Sequence, residues 1–205
     1  GAGNAFCAGQ DLNEAISPES PKIEEIVIKH YNPLIQKIRS IEKPVIAAVN
    51  GVAAGAGANL ALACDIVLAS ESAVFIQAFS KIGLIPDSGG TYFLPRLIGL
   101  AKATALMMTG ETITAEKAES MGMIYGVYED SDFEKNIMTF AHTIASMPTK
   151  GLVNTKKLLS KTFDNTLEEQ LALEAKIQSL SAKTEDHEEG IKAFLEKRAP
   201  KFIGK

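Results

Sequence analysis

The sequence has few cysteines, no long apolar run and no large excess of either charge, and each absence excludes a class of protein. Cys7 and Cys64 are far apart and lack metal-type spacing, so neither a disulfide framework nor a zinc site is predicted, and a reducing cytoplasm is expected. No apolar stretch approaches the roughly 18 residues that a membrane span needs. Lys and Arg number 21 against 25 Asp and Glu, and this mild net charge of −4 does not favour nucleic acid as a partner.

The composition that remains is that of an ordinary globular protein. The chain has 205 residues, of which 46% are apolar and 22% charged, enough to bury a core in one domain or in one domain with an appendage. No signal-peptide pattern is visible. Residues 1–4 read Gly-Ala-Gly-Asn, which is typical of a turn inside a domain, so we expect an N-terminal portion to precede them.

Glycine divides the chain near residue 130 and predicts an α/β fold before that point. Glycine-rich turns there separate short apolar runs, whereas only three glycines follow and helical periodicity dominates. We predict strands at residues 45–49, 65–69, 73–77 and 124–127, and a buried helix at 59–63. We predict later helices from about 132, 166 and 186, of which the last ends near 197. Thr114 is a predicted N-cap, and Thr166 with Glu169 a predicted capping box.

The turn around Gly51, Gly55 and Gly57 allows two readings. Glycines let a backbone pass close to a ligand with its amides exposed, and a helix that begins there could stabilise an anion or oxyanion. The spacing fits neither a dinucleotide fingerprint, because Leu60 stands at the last glycine position, nor a P-loop. Close packing of helix on strand is the alternative, and the glycines alone favour it.

Three segments together resemble the crotonase (enoyl-CoA hydratase/isomerase) superfamily. They are AFCAGQDL at residues 5–12, KPVIAAVNG at 43–51 with its following glycine turn, and GLIPDSGGT at 83–91. The resemblance spans essentially the whole chain and implies a ββα spiral core over residues 1–140 that lacks N-terminal strands. It implies a C-terminal helical trimerisation region over residues 141–205, and hence a homotrimer or a dimer of trimers. Within the superfamily, the third segment and the C-terminal residues look closest to phenylacetate-pathway isomerases, which act on 1,2-epoxyphenylacetyl-CoA.

The superfamily holds a thioester enolate with two backbone amides, which the motif match assigns to Gln10 and Ala56. Two such donors supply several kcal/mol in a pocket that excludes water, at roughly 2.7–4 kcal/mol for one donor. Hydratases of the family also use two glutamates, and this chain carries Asn59 and Phe79 at those positions. Because neither side chain can act as an acid or a base, the resemblance argues against classical hydration.

Asp87 remains as the acid near the third segment, and related isomerases carry a carboxylate at the matching position. A 1,3-proton shift needs only one base, and an apolar pocket would raise the pKa of this carboxyl group toward a useful range. The alternative is a structural role, because Asp87 and Ser88 precede a predicted helix that runs through Leu97. Both roles are compatible, and Ser88 is the better predicted cap.

The resemblance further implies contacts with the acyl-CoA substrate. The predicted contact residues are Ala8, Asp11, Leu12, Gly55, Asn59, Phe79, Lys201 and Phe202. Asp11 alternatively holds a turn, and the C-terminal lysines alternatively form a solvated basic tail. Coenzyme A is part of the substrate, so no separate cofactor and no metal are expected. The predicted function is an acyl-CoA isomerase, with an enoyl-CoA hydratase or a non-catalytic acyl-CoA-binding protein as alternatives.

Overall fold

A computed structural model describes residues 1–15 and 19–205, and it divides them into two compact units. The first unit comprises Gly1–Ser40 and Val45–Ile137, and the second comprises Ile41–Pro44 and Met138–Lys205. The first unit is mixed α/β with mainly parallel strands, as predicted, and the second is helical. The trimerisation role of residues 141–205 stays a prediction.

The first unit contains two small sheets. One has the order β1 (Ala5–Cys7), β3 (Val52–Ala54), β5 (Val74–Ile76) and β6 (Thr112–Thr114). Its first three strands are parallel, and β6 pairs antiparallel with β5. The other sheet is fully parallel, with the order β2 (Ile46–Val49), β4 (Ile66–Ser70) and β7 (Gly126–Tyr128).

Short helices connect these strands. They are α1 (Leu12–Ala15), α2 (Ile23–Ile26), α3 (Asn32–Ser40), α4 (Ala56–Leu62), α5 (Gly90–Ile98), α6 (Leu100–Thr109) and α7 (Ala115–Ser120). A π-helical segment at Val27–Tyr31 joins α2 to α3, and 3₁₀ turns lie at Ala78–Ile82 and Asp130–Asp132. Helix α8 (Phe133–Ala145) leads into the second unit, where α9 (Thr149–Leu159), α10 (Leu167–Ser181) and α11 (Glu185–Leu195) follow.

Small residues make the core of the first unit unusually close-packed. Ala53 of β3 and Ala58 and Ala61 of α4 are completely buried. A side chain at Gly57 would overlap the carbonyl oxygen of Cys7, so helix α4 lies directly on the backbone of β1. The packing reading of this glycine is therefore correct, and the same contact holds the start of α4 beside the loop after β1.

Most of the predicted elements are confirmed, with boundaries that shift by one to three residues. Thr114 caps α7 by accepting a hydrogen bond from the Lys117 amide, and Thr166 with Glu169 forms the capping box of α10. The strand predicted at 124–127 begins two residues later, at Gly126, because Ile124 is buried in the core ahead of β7. Apolar character alone did not separate a buried turn from a strand.

No helix in residues 1–15 and 19–205 combines the length and the apolar character that a membrane crossing requires.

Candidate active site

A largely apolar cavity of about 390 Å³ lies within the first unit, where the loop after β1, the start of α4 and the turn before α5 meet. Its apolar wall comes mainly from α2 and from the 3₁₀ turn after β5, and includes Ile23, Ile26, Val27, Phe79 and Leu84. A cavity of this size and character can enclose the acyl part of a small-molecule substrate.

Ala56 contributes a backbone amide to this cavity. It is the first residue of α4, so its N–H group has no acceptor within the helix. The preceding Gly55 has φ +55°, a conformation that favours glycine, and its own amide donates to the carbonyl of Ile76 at 2.8 Å. The glycine-rich turn is therefore tied to β5 and places Ala56 at the cavity wall.

The loop of Gly9 and Gln10 passes immediately beside Ala56. A Cβ atom at Gly9 would lie 3.3 Å from the Ala56 nitrogen, and Gly9 has φ +86°. Both Gln10 and Ala56 line the cavity. The Gln10 side chain also accepts a hydrogen bond from the Tyr31 hydroxyl at 3.1 Å, which links the loop to the π-helical segment. The two predicted oxyanion residues are thus brought together; their role in binding an oxyanion stays a prediction.

Asp87 is the only carboxylate among the described residues that line the cavity. Burial beside the apolar wall raises the pKa of the Asp87 carboxyl group above its ordinary value. A hydrogen bond from the Ser88 hydroxyl to Oδ1, 2.9 Å long, opposes part of this effect on the pKa. A carboxyl group with a raised pKa is better suited than an ordinary one to taking up and returning a proton.

Neither Asp87 nor Ser88 caps helix α5, which corrects the predicted capping role. The N-cap is Gly89, with φ +76° and no side-chain cap hydrogen bond. Ser88 adopts φ +51° and is buried, and this left-handed conformation directs its hydroxyl to the preceding carboxylate instead of to the helix amides. Local sequence could not reveal the change, because the conformation depends on the packing of the turn.

Asn59 lies behind the cavity wall and not in it. Its side chain is completely buried and donates a hydrogen bond to the backbone carbonyl of Asp87 at 2.9 Å. The amide of Gln77 in turn donates to Asn59 Oδ1 at 2.8 Å. Asn59 therefore supports the turn that carries Asp87, which differs from the substrate contact predicted for it. The role of Gln77 was missed, because a glutamine at a strand end has no distinctive pattern.

The other predicted contact residues are distributed unevenly. Ala8, Leu12, Gly55 and Phe79 line the cavity, whereas Asp11 does not and instead accepts a hydrogen bond from the Asn13 amide at 2.9 Å. Tyr31 and Lys81 also line the cavity, and neither was predicted as a contact residue.

Lys201 and Phe202 belong to the second unit. There the Lys201 amide donates to Glu189 at 2.7 Å and Phe202 packs beside Gly190. Their contact with coenzyme A stays a prediction.

Comparison with known proteins places the whole chain in one family. A family model described as enoyl-CoA hydratase/isomerase matches residues 1–205. The 1,2-epoxyphenylacetyl-CoA isomerase of Escherichia coli (strain K12) is 48% identical over 208 aligned residues, covering 100% of this chain and 79% of that protein. A protein of Rhodobacter capsulatus named probable enoyl-CoA hydratase is 47% identical, with coverage of 100% and 79%.

Solved structures agree with these sequence relatives. The crystal structure of an enoyl-CoA hydratase from Polaromonas sp. JS666 superposes with a TM-score of 0.92 at 38% identity, covering 99% of this chain and 80% of that one. The fold is therefore of the crotonase type, and the chain belongs to the enoyl-CoA hydratase/isomerase family.

Proposed function

We propose that this protein is an acyl-CoA isomerase in which Asp87 is the catalytic acid and base. One observation carries the proposal: Asp87 is the only carboxylate among the described cavity-lining residues, and it lines the same apolar cavity as Gln10 and Ala56. A proton shift within one substrate needs a single group that first takes the proton and then returns it. The substrate is a 3-enoyl-CoA, or 1,2-epoxyphenylacetyl-CoA as in the relative from Escherichia coli.

For a 3-enoyl-CoA, the proposed reaction begins with the thioester oxygen accepting hydrogen bonds from the amides of Gln10 and Ala56. Ionised Asp87 removes a proton from the carbon next to the carbonyl, and the electron pair moves onto the thioester oxygen as a dienolate forms. The amides stabilise this charge more strongly than the neutral ground state, which lowers the barrier. Asp87 then returns the same proton to the far carbon, and the double bond comes to rest in conjugation with the thioester.

Hydration is less well supported because water addition needs one group to activate water and another to deliver a proton. Asn59 is buried behind the cavity wall, and Phe79 offers an apolar ring. The hydratase name of the relative from Rhodobacter capsulatus nevertheless makes hydration the second candidate. Binding of acyl-CoA without turnover is the third.

The decisive experiment compares wild type with Asp87→Asn on three substrates: a 3-enoyl-CoA, 1,2-epoxyphenylacetyl-CoA and crotonyl-CoA. We expect wild type to convert one of the first two, and Asp87→Asn to lose about 10²–10⁴-fold in kcat with little change in coenzyme A ester affinity. Glu111→Gln is the matched control, because Glu111 is an exposed carboxylate that pairs with Lys117 outside the cavity. Near-normal turnover by Asp87→Asn would refute the assignment.

The remaining substrate results separate the alternatives. Hydration of crotonyl-CoA as the main activity would favour the second candidate, and binding without turnover of any substrate would favour the third. We also propose a cytoplasmic homotrimer or dimer of trimers built through the helical second unit. Helix α10 there exposes 75% of Leu167 and 54% of Leu171 in the single chain. Sedimentation equilibrium of the protein would show a monomer if this assembly is wrong.

A further inference from the structure

We propose that Ser88 is a positioning residue that aims the Asp87 carboxylate at the substrate, and that Asn59 and Gln77 hold the same turn from behind. This inference rests on the proposed role of Asp87 as acid and base. Ser88, Asn59 and Gln77 are not among the described residues that line the cavity, so each of them acts through Asp87 and not on the substrate.

The Ser88 hydroxyl is fixed on one oxygen of the carboxylate. Only 2% of Ser88 is exposed, and its Oγ donates to Asp87 Oδ1 at 2.9 Å. Within the described chain it is the one side-chain donor to this carboxylate, and the backbone amide of Asp87 itself is a further donor. Because Oδ1 is held, we assign the transfer of the proton to Oδ2. A carboxylate held at one oxygen loses rotational freedom and keeps its other oxygen available, which favours a productive geometry.

The backbone of Ser88 makes this contact at a conformational cost. Its φ of +51° is uncommon for a residue other than glycine, and Lys197 is the only other such residue within the described ranges. A glycine at this position would adopt the conformation without strain, as the next residue, Gly89, does at φ +76°. The hydroxyl is the feature that glycine would lack, and its partner is Asp87.

A buried amide pair fixes the other side of the turn. Asn59 Nδ2 donates to the Asp87 carbonyl, and Gln77 Nε2 donates to Asn59 Oδ1, so strand β5 is linked through α4 to the turn. Gly90 packs so closely on the Asn59 amide that any side chain there would overlap it. Gln77 Oε1 is buried with no hydrogen-bond partner, which costs folding free energy. The hydrogen bond that Gln77 Nε2 donates must offset this cost.

The chemical consequence is a carboxylate whose proton affinity depends on Ser88. A hydrogen bond donated to the ionised form favours ionisation, so the serine lowers a pKa that burial raises. Removal of the hydroxyl therefore raises the pKa of Asp87 further. At a given pH below this raised pKa, a smaller fraction of the enzyme then carries ionised Asp87. The acid limb of the pH profile therefore moves to higher pH.

The test uses two variants that remove the same hydroxyl: Ser88→Ala keeps the backbone strain, and Ser88→Gly relieves it. We expect Ser88→Ala and Ser88→Gly each to lower kcat roughly ten- to a hundredfold, with KM changed less than threefold. Both should move the acid limb of kcat/KM upward, because both lack the hydrogen bond. Ser88→Gly should unfold at a temperature no lower than that of Ser88→Ala, since glycine accepts the left-handed conformation. If Ser88 had only a structural role, its replacement would not shift the acid limb of the kcat/KM profile.

A third variant, Gln77→Met, tests the support behind the turn. Methionine keeps the length of the side chain and removes the unpartnered Oε1, but it also leaves the buried Asn59 Oδ1 without its donor. The variant should therefore unfold at a lower temperature than wild type, and kcat is compared well below that temperature. We expect kcat to fall roughly three- to tenfold while the acid limb stays in place, because the Ser88 hydrogen bond is intact. Unchanged kcat in Gln77→Met would remove Gln77 from the proposal.

A titration that does not depend on turnover keeps this inference distinct from the proposed function. Carbon-13 NMR of the Asp87 carboxyl group in the intact protein should give a higher pKa in Ser88→Ala than in wild type. Turnover retained by Asp87→Asn would refute the proposed function, and the NMR shift would still report the contact. The positioning role alone would be refuted by a different result. In that case Asp87→Asn loses turnover, but both Ser88 variants keep the wild-type kcat, the wild-type acid limb of kcat/KM and the wild-type pKa of Asp87.

Discussion

The carboxylate of Asp87 in the first unit accepts one side-chain hydrogen bond, whereas that of Asp186 in the second accepts two backbone hydrogen bonds. Glu189, one turn of α11 further on, is paired with both terminal nitrogens of Arg198 and accepts from the Lys201 amide. Burial raises the pKa of Asp87, but these donors lower the pKa of Glu189 to about 2. A carboxylate with few donors retains affinity for a proton, and one with many serves as a fixed anion.

The two units also differ in how they pack. The first buries alanine and glycine between closely spaced backbones, and Ala53, Ala58 and Ala61 are completely buried. The second buries few residues, namely Val153, Asp186 and Ala193, and its helices contact each other mainly through partly exposed side chains. Backbone-to-backbone packing tolerates no added atom, so substitution should be far more damaging in the first unit than in the second.

The largest effect on stability that we predict is that of Gly57→Ala. The added methyl group would overlap the Cys7 carbonyl, so α4 must move away from β1. We expect the free energy of unfolding to fall by about 3–4 kcal/mol, measured by urea denaturation. Gly151→Ala is the control in the second unit, because its methyl group would only touch the Pro148 ring at 3.8 Å. Alanine there should stabilise α9 by up to about 1 kcal/mol. Equal losses of unfolding free energy in the two variants would show that the two units do not differ in their tolerance of an added methyl group.

Asp186→Ala should be the next in size. Asp186 is buried and holds the C-terminal residues by accepting from the Ile203 amide at 2.7 Å and the Gly204 amide at 2.9 Å. Its loss leaves both amides without their side-chain acceptor, and we expect about 2 kcal/mol of destabilisation. Amide hydrogen exchange at these two positions should accelerate. Glu188→Ala, an exposed carboxylate in the same first turn of α11, should change neither quantity measurably.

The Glu189 cluster predicts a smaller effect that depends on pH. Its folded-state pKa of about 2 lies below the ordinary 4.5, so the stabilisation is complete above about pH 4.5 and is lost as the pH falls toward 2. The urea midpoint of Glu189→Gln should therefore lie below that of wild type at neutral pH and converge with it near pH 2. High salt should shrink the difference, because the group is near the surface. A constant difference across this range would contradict the interpretation.

The smallest effect concerns Asp87 itself and has the opposite sign. Because its folded-state pKa is raised, Asp87 favours folding below its ordinary pKa of 3.8, and this contribution is lost as the pH rises through the raised value. Asp87→Asn should therefore be more stable than wild type at pH 7, by about 1–2 °C in Tm, and the gain should vanish near pH 3. A Tm below that of wild type at pH 7 would show that the ionised carboxylate is not a cost to the fold.

Local patterns in the sequence predicted what depends on neighbouring residues. The caps at Thr114 and Thr166 were identified because each bonds an amide three residues ahead, and the strand at 45–49 because it is a short apolar run before a turn. Ser88 escaped prediction because its left-handed backbone reverses the direction of a side chain that would otherwise cap α5. Gln77 escaped because its partner lies 18 residues away.

The sequence by itself determined the family, the residue types available for chemistry and the presence of a carboxyl group at position 87, since these reside in the order of residues. Only the tertiary structure decided that Asp87 lines an apolar cavity together with Gln10 and Ala56. It also decided that Asn59 is buried behind that wall and that Ser88 bonds the carboxylate. Burial and long-range hydrogen bonds set the proton affinity of an acid, and both arise only when distant segments of the chain pack together.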